Sequence, residues 1–171
     1  IDVTGEVKGD SLDIDGDVDI DGDEVSISSA TSHKPVVVVE NTNADSSGTF
    51  LRMFKNTASP AVNDSIGSLQ YQSNNNQGGG RVYAQIAARI HDPVAATATG
   101  ELKFNTFVNG TDTTVMTMLD GNVGIGTSSP AALLHLSHAT APNLRLSRTG
   151  TGQVWEQSID SSGRLLIRES A

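Results

Sequence analysis

Alternating aspartates are the first residues in this chain that could do chemistry. Asp17, Asp19 and Asp21, followed by Gly22, put oxygen ligands at alternate positions and a Gly at the sixth, the first half of a calcium-binding EF-hand loop. The twelfth position, where a bidentate acid is needed, is Ser28, and the normally apolar eighth is Glu24. A dedicated EF-hand is therefore out. No cofactor is expected, beyond adventitious Ca²⁺ or Mg²⁺ on the crowded carboxylates. His135 and His138 are three apart, which on a strand puts them on opposite faces, so they are read as surface or packed histidines like His33 and His91. Gly124-Ile125-Gly126 approximates a dinucleotide motif but lacks the third Gly, and Pro130 prevents the helix that should follow, so it reads as a turn. The patterns of P-loops, zinc proteases and serine hydrolases are missing.

Glycan hydrolysis needs two carboxylates about 5–10 Å apart beside a sugar-stacking ring. Glu101, Glu156 and Asp160 are the candidates, with Trp155 adjoining Glu156. Glu156 and Asp160 sit four apart on one expected strand, roughly 13 Å along it, too far for either hydrolytic mechanism within one chain. No enzymatic activity is expected; a glycosidase site could arise only between chains.

The elements that position these residues begin with a repeat. Ile1-Asp2-Val3-Thr4-Gly5-Glu6, Leu12-Asp13-Ile14-Asp15-Gly16-Asp17 and Val18-Asp19-Ile20-Asp21-Gly22-Asp23 are copies of apolar-x-apolar-x-Gly-x, with shorter or shifted copies at Val7 and Val25. Two apolar residues at spacing two share one strand face, and Gly turns the chain before the next strand. A single-chain β-helix needs several stacked coils to close a core, and this array supplies little more than one. Other copies of the chain must supply the missing apolar partners, so the segment reads as an intertwined trimeric shaft.

The net charge of −9 belongs to this repeat. Residues 1–24 hold ten acidic residues and one basic, and the remainder of the chain is balanced. No basic stripe offers itself to nucleic acid, and no apolar run is long enough to insert in a membrane. Only seven of 171 residues are aromatic, so a large globular core is not expected, and no Cys is present. The chain starts within a repeat and is expected to be part of a longer protein.

After a polar linker, strand-like runs alternate with turn clusters: 36–40, 49–55, 66–72, 81–90, 102–108, 113–119, 142–148, 154–160 and 164–168. The run 81–90 (RVYAQIAARI) could suit a helix, but its complete alternation favours a strand. Asp120-Gly121-Asn122 is a hairpin turn between the strand ending at 119 and a short VGIG strand, 123–126. The expected fold is all-β: a trimeric repeat shaft and linker (1–32), a β-sandwich or meander module (33–130), and a second, truncated β-module (131–171). The turn loops 43–48, 63–65, 74–80 and 109–112 carry amides and hydroxyls that suit sugar hydroxyl groups. Asn74, Asn75, Asn76 and Asn109, with Tyr71 and Tyr83 as stacking faces, are the candidate binding residues.

The stretch LDGNVGIGTSSPAALLHLS (119–137) resembles a segment of bacteriophage tail-fibre and tailspike proteins, in which a GNVGIGT-x-x-P turn leads into the next module. The strand pair before it and the acidic hexads look like parts of the same fibres. The resemblance implies a homotrimer on the virion, extracellular, joined to other tail proteins and attaching to a host surface glycan or protein. The alternatives are a fragment of a tailspike glycan depolymerase and a trimeric bacterial surface adhesin.

Overall fold

The computed structural model describes Ile20 and residues 25–140, 142–148 and 153–170. The hexads and the Asp17-Asp19-Asp21 array lie outside the described residues, apart from the exposed Ile20. The chain divides into two compact units, residues 1–50 and 51–171. Every regular element among the described residues is a strand.

The second unit holds two sheets. The larger has six strands in chain order: β1 (Ser65–Asn74), β2 (Gly80–Asp92), β3 (Thr99–Val108), β4 (Thr111–Leu119), β5 (Asn122–Ile125) and β6 (Leu134–Leu136). The first five form an antiparallel meander, and β6 pairs parallel to β5. The smaller sheet is the antiparallel order β7 (Asn143–Arg148), β8 (Gln153–Ile159) and β9 (Leu165–Ser170). The ambiguous run 81–90 is a strand, as its alternation requires, because β1 and β3 flank it and satisfy its backbone on both sides.

Register sorts the side chains into two unlike faces. One rung across the large sheet is Leu69, Ile86, Phe104, Met116, Ile125 and Leu136. Two residues along, the rung is Gly67, Ala88, Leu102, Met118, Val123 and Leu134. Both rungs are wholly apolar and lie on the same face. The rung between them, on the other face, is Ser68, Ala87, Lys103, Thr117, Gly124 and His135. The small sheet repeats the division. Leu144, Leu146, Trp155, Ile159, Leu165 and Ile167 share one face, interrupted by Gln157 and Glu169, and an Arg145–Glu156–Arg168 ladder marks the other.

A sandwich would bury each apolar face under a second layer. Here substantial packing between strands runs only between ladder neighbours. Leu51 and Met53 reach over the β1–β2 edge, with Met53 against Gly67, and among the described residues no strand covers the rest. Leu69, Met118, Ile125, Leu146, Trp155 and Ile167 stay exposed, while the buried apolar side chains among the described residues are Ala87, Leu119 and Val154.

Two expected strands did not form. Residues 36–40 and 49–55 have no ladder, although four consecutive valines favour extended backbone. Val38 is 73% exposed and Phe50 83%. Propensity alone does not make a strand; a partner edge must accept its hydrogen bonds, and neither run has one among the described residues.

The GNVGIGT segment has a steric explanation. Asp120 (φ 52°) and Gly121 (φ 75°) are the two left-handed residues of a tight hairpin turn between β4 and β5. Val123, Gly124 and Ile125 lie in β5, the expected short strand after the hairpin, and the turn read at 124–126 starts only at Gly126. Residues 126–133 then fold back over the polar face, tied by Asn122 Nδ2 donating to the Pro130 carbonyl at 3.3 Å. A Cβ on Gly124 would stand 2.7 Å from the Thr127 carbonyl oxygen. Gly126 has φ 74°, and a Cβ there would strike the Ser137 carbonyl. Gly78 also has a left-handed φ of 79° but open space around it. Gly78→Ala should therefore cost about 1 kcal/mol, the conformational term alone. Gly126→Ala should cost at least twice as much in the same thermal denaturation series. Equal losses would show that the Ser137 approach does not constrain the loop.

Candidate functional site

Two of the four loops expected to bind meet at one end of the large sheet. The β1–β2 loop (75–79) and the β3–β4 turn (109–110) emerge together because both hairpins turn at that end. Asn75 is spent on its own loop. Its Oδ1 accepts from the Gln77 and Gly79 backbone N–H groups at 2.9 and 3.0 Å, and its N–H donates to the Gly79 carbonyl at 2.8 Å. Asn109 (φ 48°) and Gly110 (φ 88°) form a two-residue turn whose positive φ values suit Asn-Gly. Asn74, Asn76 and Asn109 are exposed at this end.

The two tyrosines part company. Tyr71 pairs with Ala84, on the side of the apolar rungs, and is 59% exposed. Tyr83 is the extra residue of a bulge, opposite the step from Tyr71 to Gln72, and is 44% exposed. Bulges re-aim side chains and are common at sites. The other two loops lie elsewhere. Residues 43–48 form a self-bonded turn in the first unit, with Asp45 accepting from the Ser47 N–H and the Asn43 amide. Asn63 (φ 68°) ties the entry of β1 to β2 through its N–H to the Ile90 carbonyl, 2.8 Å.

Sequence reasoning passed over the strand residues beneath the loops. The Arg81 guanidinium lies 4.5 Å above the Phe107 ring centroid. Gln85 Nε2 and Asn105 Nδ2 each donate to Asp112 Oδ2 at 3.2 Å. Register explains the meeting, since Gln85 pairs with Asn105 and Phe107 with Asp112. Each residue reads alone as a polar strand position, and the signal appears only once strand pairing is known. Asn105 is 7% exposed and its Oδ1 has no hydrogen-bond partner; Thr117 Oγ1, fully buried on the same face, also lacks one. Such groups are rare in folded proteins. Nearby, buried Glu101 pairs with Lys103 at 3.0 Å.

The carboxylates considered for hydrolysis are not gathered. Trp155 and Glu156 point to opposite faces of β8, and Glu156 lies 3.7 Å from Arg145 and 3.9 Å from Arg168. Asp160 closes the β8–β9 turn. His135 Nδ1 accepts from the Ala131 N–H at 3.3 Å, and His138 Nδ1 from that of Thr140 at 3.3 Å. Among the described residues no three His, Asp or Glu side chains are grouped to hold a metal ion, and no helix is long and apolar enough to cross a membrane.

No protein-family model matches the sequence, and neither does any curated protein.

Among the described residues three aspartates have depressed pKa values, each because the charged form accepts hydrogen bonds. Asp64 is held low first by the Lys55 ammonium (3.0 Å) and then by the Ala61 N–H. For Asp92 the Thr97 hydroxyl comes first and then the Val94 N–H. For Asp160 the Arg164 N–H comes first and then the Arg164 side chain. A carboxyl depressed in the folded state stabilises fully above the ordinary aspartate value of 3.8, and that contribution is lost as pH falls through the folded-state value. Asp160→Asn should melt below the parent at neutral pH, with the gap closing as the pH drops below about 4. A gap that persists in strong acid would show that the charge of Asp160 is irrelevant to the turn.

Proposed function

We propose that this chain is a structural and attachment segment of a homotrimeric virion fibre of the phage tail-fibre kind, without catalysis of its own. The observation that carries the reading is the pair of sheets, each with one aligned apolar face left open. A contiguous open apolar face of this extent marks an interaction surface. Two hollows of about 390 and 370 Å³ reach that face of the large sheet, among Ile66, Ala88, Leu102 and Met118, and they suit inserted side chains. Each further copy brings the same face, so rotational symmetry lets three sheets cover one another without any other protein. The acidic hexads support the same geometry, being too few to close a core in one chain. So do the ladderless runs 36–40 and 49–55, whose exposed valines and phenylalanines have the composition of strands awaiting an edge.

On this reading residues 1–32 are shaft and linker, the six-stranded sheet through Leu136 is one module, and the three-stranded sheet from Asn143 is another. Its partners are its own copies, neighbouring tail proteins and a host surface glycan or protein, and its place is on the virion, outside the host cell.

Sedimentation equilibrium of the chain tests the assembly. The expected mass is three times the 17.8 kDa of one chain, and a folded monodisperse monomer at micromolar concentration would overturn the reading. Phe104→Asp tests the face. It should dissociate the trimer or cost several kcal/mol per chain, because a charge is buried in apolar surroundings. Gln70→Asp, one step away on β1 and on the other face, should stay within about 0.5 kcal/mol of the parent. Equal behaviour of the two variants in a thermal melt would reverse the assignment of the faces.

A further inference from the structure

We infer that the polar face at the loop end of the large sheet is a binding platform for an uncharged saccharide, built by Tyr83, Gln85, Asp112 and the Arg81–Phe107 stack. This rests on the attachment reading above and names the ligand class and the place.

The argument starts from preorganisation. Asp112 is exposed, yet its Oδ2 is fixed by two amide donors from two different strands, Gln85 and Asn105. Asn105 is buried and cannot swing away, so the carboxylate is held at one orientation. Oδ1 is left to accept from a ligand. Gln85 spends one N–H on Asp112 and keeps its second N–H and its carbonyl oxygen. The Arg81 guanidinium lies 4.5 Å over the Phe107 ring and has no acidic partner among the described residues, so its N–H groups are free to donate. Acceptor, amide and planar donor thus stand close together on rigid strands rather than on a mobile loop.

Those groups suit a vicinal diol. A hydroxyl pair donates to one carboxylate oxygen while accepting from an amide or guanidinium N–H, and a pyranose also offers an apolar C–H face to an aromatic ring. Tyr83 supplies such a ring. It lies between Arg81 and Gln85 in the chain, is displaced by the bulge and is 44% exposed. Arg81 and Asp112 carry opposite charges in one small patch, so no net field draws an acidic sugar. The platform is open and flat, which suits weak binding by each copy, on the order of millimolar, and the proposed trimer multiplies it by presenting three.

The test is an array carrying neutral hexose and N-acetylhexosamine oligosaccharides beside uronic- and sialic-acid oligosaccharides, probed with the full chain. Retention is expected on neutral features, falling at least about tenfold in Asp112→Ala and in Tyr83→Ala, the loss of one hydrogen-bond set or one stacking face. Glu156→Gln, on the small sheet, should bind as the parent does. An amide NMR titration with lactose guards against misfolded variants, because in the parent chain the Gln85 and Asn105 side-chain amides should shift while those of Asn41 and Asn43 do not. Retention on acidic features alone, retention unchanged in both variants, or unmoved Gln85 and Asn105 signals would each overturn the proposal. Binding to host cells without binding to neutral sugars would overturn the platform and leave the attachment reading standing. Sugar binding without cell binding would do the reverse.

Discussion

An open apolar sheet face is the constraint on which the rest of this structure depends. Antiparallel sheets commonly bury one face and wet the other. Here the division of residues is clean, with two full rungs of apolar side chains across six strands. The layer that should cover them is not another element of the second unit. Leu51 and Met53 shelter one edge only. A large favourable term, of about 25 cal/mol for every Å² of apolar surface removed from water, is left ungathered in the single chain. The proposed assembly follows from that surplus.

The polar face shows the opposite economy. It is the better buried of the two although it carries the charges, because Glu101 and Lys103 pair along β3 and residues 126–133 fold over its β4–β5 end. Gly124 and Gly126 make that fold-back possible: one lets the Thr127 backbone approach the strand and the other takes a left-handed φ beneath the Ser137 carbonyl. The Gly-x-Gly spacing is thus a packing device for returning the chain to lay β6 parallel to β5. Its likeness to a phosphate-binding motif has no structural basis, since β5 leads into a bent loop and a strand, not a helix.

Much of the fold was legible in the residues. Alternation placed β1 to β4 and β7 to β9 within a few positions of where they lie, and Asp120-Gly121 announced its hairpin by the one turn type that needs two left-handed residues. Residues 36–40 and 49–55 were equally strand-like and formed no ladder. Strand propensity reports how a side chain suits a pleated surface, and it carries no information about whether an edge is present to pair with. The binding residues divide in the same way. Asn76 and Asn109 are exposed loop amides, as their composition suggested, Asn74 is the exposed last residue of β1, and Asn75 holds its own loop closed.

What the sequence determined by itself was local. It set the all-β character through the period of its apolar residues, the turns through Gly and Asn at positions of positive φ, and the confinement of the net charge to the repeat. Tertiary structure decided everything that depends on which strand lies beside which. Register aligned the apolar rungs on one face, set Tyr71 apart from Tyr83, and brought Gln85, Asn105 and Asp112 together from three strands. The physical reason is that a strand's period fixes only which residues share its own two faces. Which neighbours they meet depends on pairing register, where a shift of one residue exchanges the faces.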